Sequence, residues 1–238
     1  EVSDGTLTVQ VDQSLAGTTV DSILAYEDDM YNHYYYLEWF ASSVWSNSEV
    51  LRAARETGYS DAAFQTRHER YINWGLQTIY SFQHTDGGWS WYRRLDRPSD
   101  PLTTAYILVA LSKAKSIGFD VPERIIELGQ EYLKQQVQGG SINQDQWWAN
   151  RNVWMLYALA LSGEPDVART ASHYEHRENL SLYGQALLAE TLWMIDPTDT
   201  SRTDVLVTNI LSQAATSGAG IHWDDTYHYY NWGTSNRT

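Results

Sequence analysis

Gln83-His84-Thr85-Asp86-Gly87-Gly88-Trp89-Ser90-Trp91 is followed a short way on by Ser99-Asp100-Pro101 and then by Thr104-Ala105-Tyr106-Ile107-Leu108-Val109-Ala110-Leu111. The paired glycines permit positive φ and mark a turn. Asp100 before Pro101 is a helix start, with an acceptor at the cap and a residue that needs no amide partner at the first helical position. The helix is predicted over Leu102 to Ile117, with Gly118 as its stop. Small and large apolar residues fill nearly every side of it, so it is expected to be buried on most faces.

The same grammar extends in both directions. Ser60-Asp61 opens a helix that reaches about Phe82 through Phe64, Tyr71, Leu76 and Ile79, and Pro122-Glu123 opens another to about Val137. Gly139-Gly140 repeats the glycine turn, and helices follow over Asn152 to Leu161, from Pro165 through Ala171, over Leu182 to Met194 and over Ser201 to Ala215. Upstream, Leu7 to Val11 alternates like a short strand, Ser14 caps a helix to Asp28, and Leu37, Phe40, Val44, Leu51 and Ala54 run helically to Gly58. Between Gly218 and Trp232, Ile221, Trp223, Tyr227 and Tyr229 are hairpin candidates. Three helices, around 104–111, 153–161 and 183–192, are apolar all round, and amphipathic ones such as Glu123 to Gln136 alternate with them. Buried helices ringed by half-exposed ones make an all-α fold, an α/α toroid; an irregular helical solenoid gives a similar pattern.

Composition narrows the function. The chain has 238 residues, 42% of them hydrophobic, enough for one large domain with a sizeable core. No apolar run approaches the ~18 residues that span a bilayer, so membrane insertion is not expected, and the chain opens on polar residues without a signal-peptide pattern. The formal net charge of −14 disfavours nucleic acid as a partner. There is no cysteine, which removes disulfides, thiolate metal sites and cysteine nucleophiles. Trp 11 and Tyr 17 against Phe 4 is a bias toward rings with a polar handle, suited to helix ends, loops and grooves.

Gln83 to Lys115 resembles the thioester domain of the bacterial α2-macroglobulin family, in the form QHxDGGWxWW…SDPxLTAYVLxALxxAK. Leu182-Tyr183-Gly184-Gln185-Ala186-Leu187 is similar to the family's SPYGKALLA helix, and Ile221-His222-Trp223 with Trp232, Ser235, Arg237 and Thr238 is similar to its HW…WWSS…RTTALALRAL region. The resemblance spans most of the chain. It implies a toroid over residues 13–238, preceded at residues 1–12 by the end of a flanking β-sandwich (CUB-like) segment, with the ring incomplete at the C-terminus.

One departure decides the chemistry the resemblance implies. Where the family carries Pro-Tyr-Gly-Cys-x-Glu-Gln, this chain has Met30 at the proline, Tyr31 at the tyrosine, Asn32 at the glycine and His33 at the cysteine, and Tyr35 and Tyr36 replace the glutamate and glutamine. A thioester condenses a thiol with a side-chain amide, and His33 and Tyr36 supply neither. The loop of Ser141 to Trp148, where complement-type relatives place an assisting histidine, has none. The expectation is a non-catalytic domain of a periplasmic or extracellular protease inhibitor that traps proteases noncovalently. Its partners would be the other domains of the same macroglobulin chain, with proteases as the full-length protein's targets. No cofactor or metal is expected.

Other readings of the residues compete. Trp89, Trp91, Trp147 and Trp148 are a candidate aromatic contact surface, for a binding module or for an enzyme acting on glycans or isoprenoids. The latter needs acid and base groups converging on an open axis. His68-Glu69-Arg70-Tyr71-Ile72 fails the zinc-protease pattern at Ile72. His173-Tyr174-Glu175-His176 offers two imidazoles, too few for a metal, and reads as a surface pair.

Overall fold

A computed structural model describes residues 36–217 and 220–223. Its helices are α1 (Leu37–Glu56), α2 (Ala62–Ser81), α3 (Pro101–Ser116), α4 (Glu123–Gln136), α5 (Gln146–Leu161), α6 (Val167–Glu175), α7 (Leu182–Ile195) and α8 (Thr200–Ser212). A 3-10 turn, Arg177–Asn179, joins α6 to α7, and a small antiparallel hairpin, β1 (Ala215–Ser217) with β2 (Gly220–His222), follows α8. The predicted strand at Leu7 to Val11 and helix to Asp28 lie outside the described residues, as do Tyr227 and Tyr229.

Helix contacts sort the elements into two layers. α1 packs on α3, α3 on α5 and α5 on α7, which makes an inner arc. α2 packs on α1, α4 on α3, α6 on both α5 and α7, and α8 on α7, which makes the outer layer. This is the α/α toroid that the alternating pattern predicts. Three of the inner helices, α3, α5 and α7, are the ones apolar all round, because each has neighbours on both flanks and behind. α3 alone buries Ala105, Ile107, Leu108, Val109, Ala110, Leu111 and Ala114. The outer helices bury one stripe, as in α4 with Ile126, Gly129, Tyr132 and Leu133.

Caps set the boundaries. Asp100 accepts from the Thr103 amide at 2.7 Å, with Pro101 opening α3. Asp61 accepts from the Phe64 amide at 2.7 Å, Asp166 from Arg169 at 2.9 Å, and Ser181 from Gly184 at 3.2 Å. Replacing Asp61 with alanine is expected to cost about 1 kcal/mol. The melting temperature should then fall by about 2–4 °C, readable by circular dichroism. Gly118 ends α3 at φ 96°, a conformation a side chain strains.

α5 begins at Gln146 rather than near Asn152. Asp145 caps it, accepting from the Trp147 amide at 2.9 Å, so Trp147 and Trp148 lie in a first helical turn and not in a loop. α6 likewise begins at Val167 and runs past Ala171 to Glu175. There His173 is buried, and its Nε2 lies 3.0 Å from the Gln138 carbonyl. The expected surface pair is thereby corrected: His173 ties α6 to the second glycine turn, while His176 caps the end of the helix.

Candidate functional site

The helix order puts every outer-to-inner connection, and hence every inner-helix N-terminus, at one end of the arc. Tyr36, the 83–100 connection, the 137–145 connection and the 176–181 turn all lie there. Tyr36, the last of the degenerate positions, is the residue that enters α1. Its backbone is extended, φ −116° and ψ 128°. It forms an antiparallel bridge with Tyr92, and the Leu37 amide donates to the Trp91 carbonyl at 2.9 Å. The Tyr36 ring meets Trp91 edge-on at 6.1 Å and lies against Tyr92 at 5.4 Å. Tyr31, Asn32, His33 and Tyr35 lie outside the described residues.

The connection that holds Tyr36 is itself rigidly bonded. The His84 amide donates to Gly88, and Gly87 donates back to His84. Gln83 Nε2 donates to the carbonyls of Gly87 and Ile125, both at 2.9 Å. Asp86 accepts from the Gly88 amide at 3.0 Å and from the Ser99 hydroxyl at 2.7 Å. Gly87, at φ 90°, lies so close to the Leu128 carbonyl that a Cβ would sit 2.3 Å from that oxygen. Arg93 stacks over Phe40 and Phe82, at 5.3 and 5.1 Å, between this connection and α1. The motif residues thus build a platform for the α1 entrance.

The four tryptophans of the proposed contact surface do not share one environment. Trp89 is wholly buried, with its indole N–H donating to the Ile79 carbonyl at 2.8 Å. It belongs to the core, which removes it from any surface. Trp91 is half-buried against Tyr36. Trp147 and Trp148 meet edge-on at 4.6 Å, with Trp148 44% exposed. The Arg151 guanidinium lies over both rings, 5.6 Å from Trp147 and 4.8 Å from Trp148. Burial holds its pKa below the ordinary arginine value, opposed by the charge of Asp100.

A second aromatic group, unsuspected from sequence, lines the inner helices. Trp45 of α1 contacts Tyr106 of α3 at 5.4 Å and Trp154 of α5 at 6.5 Å; Trp154 stacks on Tyr157 at 5.6 Å. The Tyr106 hydroxyl bonds Ser42 at 3.0 Å, and the Tyr157 hydroxyl donates to Glu190 at 3.4 Å. Glu49 pairs with Lys113 at 3.1 Å and Arg52 at 2.6 Å. Burial raises its pKa, but hydrogen bonds from Arg52 and Lys113 outweigh that and hold the carboxylate below its usual range. Ser42, Trp45 and Glu49 share one stripe of α1, a spacing legible in sequence, but only the helix neighbours give it meaning. Ring-on-ring contacts and paired charges occupy this face. Among the described residues no group of three or more His, Cys, Asp or Glu could hold a metal, and no helix is long and apolar enough to cross a membrane.

The model of the A-macroglobulin TED domain, the thioester domain of these proteins, matches residues 41–160, half of the chain. The chain belongs to the A-macroglobulin TED domain family. The α2-macroglobulin of Thermotoga maritima is 41% identical to it over 66 residues, 28% of this chain and 4% of that protein. The native conformation of Escherichia coli α2-macroglobulin superposes with a TM-score of 0.62 at 18% identity, over 85% of this chain and 13% of that one. A fragment of the same protein from domain MG7 to the C-terminus gives 0.60 at 20% identity, over 83% and 31%. At such identities these neighbours speak to the fold alone, and it is the toroid described above. This TED domain spans less than a third of the length of each of these relatives.

Proposed function

We propose that this TED domain is a non-catalytic part of a bacterial α2-macroglobulin-like protease inhibitor, periplasmic or secreted, that holds proteases without a covalent bond. The observation that carries the reading is the absence of cysteine from a chain of this family. Without a thiol there is no acyl thioester for a protease amine to attack. Protease encounter is supported by the relatives: Escherichia coli α2-macroglobulin has been solved as activated by trypsin and by porcine elastase. In place of a buried covalent bond, the Tyr36, Trp91 and Tyr92 rings lock the α1 entrance against the platform and, through it, the domain against its neighbours in the longer chain.

Methylamine opens thioesters, and a Salmonella α2-macroglobulin has been solved after reaction with it. Incubating the full-length protein with methylamine should add no mass to any peptide within residues 1–238 and leave its native-gel mobility unchanged. A methylamide adduct in this segment would overturn the reading.

A further inference from the structure

Arg151 stands out among the cations of this strongly acidic chain. Arg52, Arg94, Lys113, Lys115, Lys134, Arg169 and Arg202 each pair with a carboxylate. Arg151 is half-buried, yet no hydrogen bond or ion pair joins it to a described residue; beside it are the faces of Trp147 and Trp148, with Asp100 and Tyr132 near enough to act on its charge. Asp100 caps α3 through Oδ1, which accepts from the Thr103 amide and hydroxyl, and its carboxylate makes no ion pair with Arg151. A guanidinium carries five donors in a planar fork shaped for a carboxylate. Partly withdrawn from water by its two tryptophans and paired with no carboxylate of the described residues, the fork is open to one from outside.

The surroundings are those of a protein contact. Trp148 is exposed beside the guanidinium, and Tyr183 opens α7, the next inner helix, at the same end. Asn150, one residue before Arg151, accepts from the Ser181 amide at 3.1 Å, which places the start of α7 against this turn. Ile142 and Leu95, at 73% and 60% exposure, lie in the neighbouring connections. Tryptophan, tyrosine and arginine are the residues that dominate binding energy at interfaces.

We propose that Arg151, flanked by Trp147 and Trp148, is the anchor for an aspartate or glutamate side chain of an adjoining domain of the same protein. The inference rests on the reading of this chain as one domain of a longer macroglobulin. The carboxylate takes the guanidinium fork edge-on while apolar neighbours of that residue cover Trp148.

A zero-length carbodiimide cross-link tests this in the full-length protein carrying Arg151→Lys, because the reagent joins an amine only to a carboxylate in direct contact. The expected product joins position 151 to an acidic residue outside 1–238, and it is absent from wild type. A cross-link only to Asp100, or none at position 151, overturns the anchor and leaves Arg151 as a stack on its two tryptophans. A second variant, Leu95→Lys, with a long amine-reactive cross-linker, reports whether this end of the domain docks at all. Links from position 95 to other domains without one from position 151 would sink the anchor alone. No links from either position would sink the multidomain reading beneath it.

Discussion

Replacing Trp89 with alanine should destabilise the domain by about 4 kcal/mol, a large fraction of the total for a domain of this size. The ring is wholly buried between α2, α3 and α4. Its indole N–H donates to Ile79 of α2, its backbone N–H donates to the Thr104 hydroxyl of α3 at 3.0 Å, and the ring edge lies on Gly129 of α4. Truncation empties the space under the glycine turn and removes the donor for the Ile79 carbonyl. Trp89→Phe keeps most of the volume and loses the hydrogen bond, so about 1–2 kcal/mol is expected. The contact with Gly129 supplies an internal control. A Cβ on Gly129 would come within 3.0 Å of the Trp89 ring and of Leu108. Gly129→Ala should therefore cost more in wild type than in the Trp89→Ala background, a coupling that a double-mutant cycle in urea reads directly. A Trp89→Ala protein within 1 kcal/mol of wild type would remove the ring from its structural role.

That role explains where sequence reading stopped. The glycine pair beside Trp89 announces a turn, turns lie at surfaces, and a tryptophan in one reads as a ring offered to a partner. Nothing local says that the next outer helix will lie across the turn and bury it. Gly87 against the Leu128 carbonyl and Gly140 against the Ser172 carbonyl are the two places where that docking happens, and the glycines serve close approach as much as turning. The inner helices were legible because burial on nearly all sides leaves an apolar sequence with no polar face, as in α3 and α7. The start of α5 was not. Gln146-Trp147-Trp148-Ala149-Asn150 mixes polar and aromatic residues because its turn lies at the exposed end of the ring, where Arg151 and Trp148 face outward.

His68 lay hidden for the opposite reason. A histidine inside Thr66-Arg67-His68-Glu69-Arg70 reads as part of a charged helix face, yet its ring is fully buried between α2 and α1. Asn47 donates through Nδ2 to the Ser43 carbonyl at 2.8 Å, which turns its Oδ1 toward His68 Nδ1. That oxygen only accepts, so Nδ1 carries a proton. Phe64 covers one side at 4.3 Å, and Nε2 is buried with no hydrogen-bond partner among the described residues. Protonation would put a cation in that space, so burial first and the charge of Arg67 second push the pKa down to about 4 from 6.5.

The sign of the resulting pH dependence is fixed by these two values. Above pH 6.5 the ring is neutral in folded and unfolded chains alike, and no stability is at stake. Between pH 6.5 and 4 the unfolded chain binds a proton that the folded one refuses, so stability falls as pH falls. By pH 5 the loss should reach about 2 kcal/mol, approaching about 3 below pH 4. Urea unfolding at pH 7.5 and pH 5 should show that loss in wild type beyond whatever His68→Gln shows, because the variant retains every other titrating group. Equal pH slopes in the two proteins would mean that His68 accepts its proton while folded, and that the interface of α1 with α2 opens to water. α1 is also the helix that Tyr36 enters. A variant that loosens its seat on α2 should weaken the aromatic lock at its N-terminus, and hydrogen exchange of the Leu37 amide, which donates to the Trp91 carbonyl, should quicken in parallel with the acid destabilisation.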